Sequence, residues 1–206
     1  MTAIGDLCSV IRGWVNFEYD DALITSWTRM AEELISTVLR CKHMIQIDTG
    51  VVRNGRVLLP TDWLELDFVR DLDFNRPLTY RERTQFYSNP DPLDANYNIG
   101  RYTLSGNFLM TNPVEETDGR NIELTYYQAI PPLGDDINWL MQYYSRLYVT
   151  ATLSVATMYS IEDDRAATWQ AAMQTFIDSI NEEHIKSKTS GGLLILPGKT
   201  KKKGFG

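Results

Sequence analysis

Two residue types that catalytic centres lean on are scarce in this 206-residue chain, which holds two histidines and two cysteines. His43 and His184 stand alone, without the ligand spacing of a metal site or a nucleophile to serve. Each reads as a surface histidine. Cys8 and Cys41 fall on apolar helix faces and read as buried thiols, not as a disulfide or a metal pair. Neither GxxxxGKS/T nor GxGxxG occurs. Gly191-Gly192 and Gly198 beside Lys199 imitate a phosphate loop without the strand and helix that make one. No apolar run approaches the roughly 18 residues of a membrane helix, so no membrane partner is expected. Met1 to Val15 lacks the basic start and apolar core of a signal peptide, and the protein is expected to be made and kept in cytoplasm.

A general basic surplus is missing too. Net charge is −7, yet from Lys186 onward there are six lysines and no acid, which leaves −13 on the rest. An acidic body argues against sequence-specific nucleic-acid binding. A basic tail on an acidic body points to a partner for the tail. Asp135-Asp136 and Glu162-Asp163-Asp164 are the acid clusters that could hold a cation, but helix capping explains both more simply. Neither a catalytic residue, a metal ligand nor a cofactor is therefore predicted.

What is present is a clear change of period along the chain. Ile4, Leu7, Cys8, Ile11, Trp14 and Val15 form one helical stripe. Leu23, Trp27, Met30, Ala31, Leu34, Ile35 and Val38 form a second, capped by Asp20 or Asp21. From His43 the period becomes two. Strands are predicted over Met44–Val52, Arg56–Leu59, Glu65–Leu72, Tyr97–Leu104, Phe108–Thr111 and Ile122–Tyr127. Asn54-Gly55 marks a hairpin, and short turns throughout predict an antiparallel sheet. A short helical turn is predicted at Thr61 or Asp62, and another in Pro77–Tyr87 with Thr79 as cap and Glu82 three residues on. Pro131-Pro132 then holds the chain extended, and Asp135 or Asp136 is placed to cap a long helix. That helix carries the stripe Trp139, Tyr143, Leu147, Ala151, Val155 and Met158, and a last helix carries Trp169, Ala172, Met173, Phe176, Ile177 and Ile180. After Gly191-Gly192, the apolar quartet Leu193–Leu196 cannot fold alone and needs a sheet edge or a pocket.

The fold class is thus α+β: a four-helix bundle (two N-terminal and two C-terminal helices) with an inserted antiparallel β region and an extended C-terminal tail. The boundaries are 1–42 and 134–188 for the bundle, 43–133 for the insertion and 189–206 for the tail.

Tyr126-Tyr127-Gln128-Ala129-Ile130-Pro131-Pro132-Leu133, followed by Asn138-Trp139-Leu140 and Leu147-Tyr148, resembles the C-terminal half of phage head-tail connector (adaptor) proteins, the rings that dock beneath the portal. Leu59-Pro60-Thr61-Asp62-Trp63-Leu64 with Glu65, Asp163-Asp164-Arg165 leading to Trp169, and Ser190-Gly191-Gly192-Leu193-Leu194 fit the same pattern in the same order. The stretch from Asp73 to Asn98 matches least. The resemblance implies a structural virion protein of the neck, assembled in the host cytoplasm as a homo-oligomeric ring of twelve copies. It implies a portal protein and tail or neck proteins as partners, and transient non-specific contact with genomic DNA passing an acidic lumen. It also assigns portal binding to the tail, through Leu193, Leu194, Ile195, Leu196, Lys199, Lys201, Lys202, Lys203 and Phe205. Another neck ring, a tail-completion or stopper protein, is the nearest alternative. A metal-dependent enzyme is the more distant one.

Overall fold

A computed structural model of the chain describes residues 2–15, 19–88, 100–112, 117–159 and 165–190. Helix α1 (Ala3–Trp14) starts at Thr2, whose hydroxyl accepts the Gly5 N–H at 3.2 Å. It buries Ala3, Leu7, Cys8 and Ile11. Helix α2 (Asp21–Val38) has Asp20 at its N-cap position but no side-chain cap bond, and Asp21 pairs with Arg12.

The buried face of α2 is rotated from the one its apolar residues predict, although Trp27, Ala31 and Ile35 belong to both. Ile24, Trp27, Thr28, Ala31, Glu32, Ile35 and Ser36 point inward, while Leu23, Met30, Leu34 and Val38 are 38% to 45% exposed. Apolar residues occupy more than one face of this helix, and hydrogen bonds admit the polar residues to the core. Thr28 donates to the Ile24 carbonyl at 2.9 Å, and Ser36 and Glu32 accept from the chain beyond the sheet.

Helix α4 (Trp139–Tyr159) is central, with Leu147, Tyr148 and every residue from Thr150 to Thr157 buried. It packs against α1 and α2 and against helix α5 (Ala166–Ser190), which adds Met173, Ile177 and Ile180 to the same core. The cap of α4 is Asn138, whose side-chain oxygen accepts the Met141 N–H at 2.9 Å, and not Asp135 or Asp136. A kink at Tyr144 (φ −135°, ψ 42°) puts the first turn out of phase with the rest. Tyr143 and, at the far end, Met158 are therefore exposed instead of lying on a single buried stripe. Glu162-Asp163-Asp164 lies outside the described residues.

Between α2 and α4 the chain builds two four-stranded sheets where one was predicted. The first has the order β1 (Ile45–Val51), β8 (Asn121–Gln128), β3 (Trp63–Asp71), β4 (Arg76–Pro77). The second has the order β2 (Arg56–Leu58), β7 (Phe108–Asn112), β6 (Arg101–Ser105), β5 (Thr79–Tyr80). They share a separate core of Val52, Val57, Leu59, Val69, Leu78, Leu109, Ile122, Leu124 and Tyr126. The predicted Asn54-Gly55 hairpin forms, with φ of 50° and 68°, but it carries the chain from one sheet into the other. The sheets come so close there that a Cβ on Gly50 would lie 2.4 Å from a Val57 methyl.

All pairings are antiparallel except β5 with β6. A parallel pair needs a long connection, and this one contains helix α3 (Arg83–Tyr87). Glu82 is its N-cap residue, while Thr79 belongs to a strand. Thr61-Asp62 is a turn leading straight into β3.

Candidate functional site

The segment from Ile130 to Asn138 is where helices and sheet meet. Pro131 and Pro132 have no N–H to satisfy. The flanking N–H groups both go to α2: Ile130 donates to Ser36 Oγ at 3.2 Å and Leu133 to Glu32 Oε1 at 2.7 Å. Glu32 also accepts the Tyr148 hydroxyl hydrogen from α4. Asn138 Nδ2 donates to the Pro131 carbonyl at 2.7 Å and to Tyr148 Oη at 3.1 Å. The Gly134 and Asp135 carbonyls accept the Ile4 and Ala3 N–H groups, each at 3.1 Å, and so close the start of α1. One extended segment thus ties three helices together.

Its upstream end is fixed by Asp62. That side chain accepts from Tyr126 Oη at 3.3 Å and Gln128 Nε2 at 2.6 Å, and its carbonyl accepts the Ala129 N–H at 2.7 Å. Burial and the Asp62 carboxylate push the Tyr126 hydroxyl up to about 12. Burial also raises the Glu32 carboxyl above its usual range, against the lowering effect of its hydrogen bonds to Tyr148 and Leu133.

His184 is not a surface residue: it is 7% exposed, on the inner side of α5. Its position continues the spacing of Met173, Ile177 and Ile180 by one more turn, so the burial is legible in the period and only the polar residue type hides it. Its Nε2 lies 2.9 Å from Tyr127 Oη, and its Nδ1 is buried without a partner. Burial, with Lys188 nearby, lowers its pKa. Lys188 Nζ in turn reaches Tyr127 Oη at 2.9 Å and Asp67 at 2.5 Å. Burial alone would lower the ammonium, but the bonds to Asp67 and Tyr127 outweigh it and raise the pKa. Arg40 completes the seam between helices and sheet, pairing with Glu65 at 2.9 Å and lying 5.7 Å from the Tyr127 ring centre.

His43 is half-buried on a 3₁₀ turn (Lys42–Met44), stacked 4.2 Å from the Tyr143 ring, and burial lowers its pKa. The two histidines are thus packed apart, one on α4 and one on the sheet. Among the described residues no group of three His, Cys, Asp or Glu side chains could hold a metal ion. Cys8 and Cys41 are free and buried, as predicted.

Surfaces, rather than clefts, stand out. Leu23, Met30, Leu34 and Val38 lie exposed on α2, with Tyr159 of α4 reaching Met30 Sδ at 3.6 Å. A model of the SU10 adaptor proteins matches residues 1–193, through all the elements described above. The chain belongs to the SU10 adaptor protein family. This bears out the resemblance to phage head-tail adaptors and identifies a structural phage protein. No curated protein matches the sequence. In this adaptor the predicted portal-binding residues Leu193, Leu194, Ile195, Leu196, Lys199, Lys201, Lys202, Lys203 and Phe205 all lie outside the described residues, and the family match ends at the first of them. No helix among the described residues is long and apolar enough to cross a membrane.

Proposed function

We propose that this adaptor forms a ring in the neck of a phage particle, joins the portal to the tail, and lines part of the channel through which DNA passes. Membership of the adaptor family carries the proposal. The ring, of twelve copies, is built by the helices acting as one four-helix bundle (residues 1–42 and 134–188). The exposed stripe of α2 supports that role, because a monomer has little use for a helix apolar on two faces. Residues 43–133 are a separate β unit free to meet the next ring. The tail, 189–206, docks on the portal, with the quartet Leu193–Leu196 inserted and the lysines meeting acidic groups.

Mixing the purified adaptor with portal rings tests this reading. Wild type is expected to co-sediment with the portal, and a Lys201→Glu, Lys202→Glu, Lys203→Glu variant to bind more weakly and with less salt dependence. Equal binding by both removes the lysines from the contact. A particle in which this ring touches another neck ring and never the portal would make it a stopper or tail-completion protein.

A further inference from the structure

Strand β1 is the longest edge strand among the described residues. Its seven residues form one edge of the first sheet, bonded to β8 alone. Only Ile45 and Gly50 are half-buried. The other five are exposed on both faces, Ile47 at 65%. Among the described residues nothing pairs with its outer side. Edge strands are usually blunted by lysine, proline, a bulge or a cover. β1 carries one charge, Asp48, no proline, and an unbroken register with β8.

The same chain holds a segment with the opposite deficit. Leu193–Leu196 is an apolar quartet too short to form a sheet alone, bounded by Gly191-Gly192 and by Pro197, which would end a ladder. Helix α5 delivers it to the right place. His184 and Ser187 line a small cleft with Cys41 and Lys42, just ahead of β1. Lys188 bonds to Tyr127 of β8, the register partner of Ile45, and to Asp67 of β3, so the end of α5 lies over the middle of the first sheet. An extended chain advances about 3.3 Å per residue, so three residues beyond Ser190 span about 10 Å, or two strand spacings. That puts the outer side of β1 near its start within reach of residue 193, and a segment continuing along the edge from there would run parallel to Gln46–Thr49.

We propose that the free edge of β1 is the docking site for this chain's own residues 193–196, which add a fifth strand to the first sheet before assembly. Pairing gives the quartet backbone partners along one side, and its alternate side chains cover Ile47. If the tail also engages the portal, it cannot do both at once, and β1 holds it until the portal takes it. The pairing itself does not depend on the portal.

Hydrogen exchange on the full chain, with no portal present, compares wild type with Ile195→Pro, which lacks the N–H a strand needs. Exchange across residues 45–51 is expected to be about tenfold faster in the variant, with β3 unchanged. Equal exchange overturns the proposal. A second measurement oxidises dilute Asp48→Cys chains that also carry Leu194→Cys or Ile195→Cys, the native cysteines being buried. An intramolecular disulfide in either is expected. Bonds only between differently labelled copies, or none in either, overturn it. Portal binding by Ile195→Pro is read separately. Lost binding with equal exchange sinks the β1 site alone, and normal binding with faster exchange sinks portal docking by the quartet alone.

Discussion

Glu32 is the residue on which the Ile130 to Asn138 segment depends most. It is buried and accepts from both Leu133 and Tyr148. Glu32→Ala leaves two buried donors unmet and is expected to cost about 2–4 kcal/mol in denaturant unfolding. Glu32→Gln keeps an acceptor oxygen and should cost far less. Because burial raises the carboxyl pKa, its contribution is fully present below its ordinary value of 4.5 and is lost as pH rises through the raised folded value. Wild type should therefore lose stability relative to Glu32→Gln on going from acid to neutral pH. His184 has the opposite sign. Its pKa is lowered, so its contribution is present above the ordinary 6.5 and is lost as pH falls below it. Wild type measured against His184→Gln should weaken below about that pH, and a flat difference would mean the ring is not buried. Gly50 is a purely steric case. Gly50→Ala forces a Cβ against Val57 and should cost about 1–3 kcal/mol, while Gly50→Ala with Val57→Ala should lose less than the two single changes together.

At the level of elements, α2 is the most informative. Its apolar spacing covers two faces, and the pattern alone could not say which one the core takes. Thr28 faces inward by bonding to the Ile24 carbonyl one turn back, but Glu32 and Ser36 do so because Leu133 and Ile130, 101 and 94 residues along the chain, satisfy them. Such partners are invisible to a periodicity. The outward stripe then becomes a prediction. Met30→Lys with Leu34→Lys should change monomer stability little, on the order of 0.5 kcal/mol per site, yet abolish self-association in sedimentation. Retained association would remove α2 from the subunit contact. The strands were legible from their alternation and from Asn54-Gly55. Their division into two sheets was not, because strand pairing is set by long-range contacts that share no local signal. The short β5 read as part of a helical turn for a related reason: Thr79 and Glu82 have capping-box spacing, but Thr79 donates its N–H to the Gly100 carbonyl instead.

At the scale of the whole molecule, the segment Ile130 to Asn138 carries the fold at the point where the sequence changes from strand to helix. The prolines supply a segment without donors, and Glu32, Ser36 and Asn138 clamp it against α2 and α4. Helices and sheets keep separate cores on either side, linked along the seam of Tyr127, His184 and Lys188. The histidine in that seam sits on the period of Met173, Ile177 and Ile180, but its residue type suggests a surface, because the Tyr127 partner that admits it is 57 residues away. The tail's role rests on its composition alone: an apolar quartet and a lysine cluster on an otherwise acidic chain. The most direct measurement is electron microscopy of the purified adaptor with and without its portal. A closed symmetric ring stacked on the portal, with α2 at the subunit contacts and density for residues 193–205 entering the portal, is the predicted result. A chain that stays monomeric beside intact portal rings would contradict it.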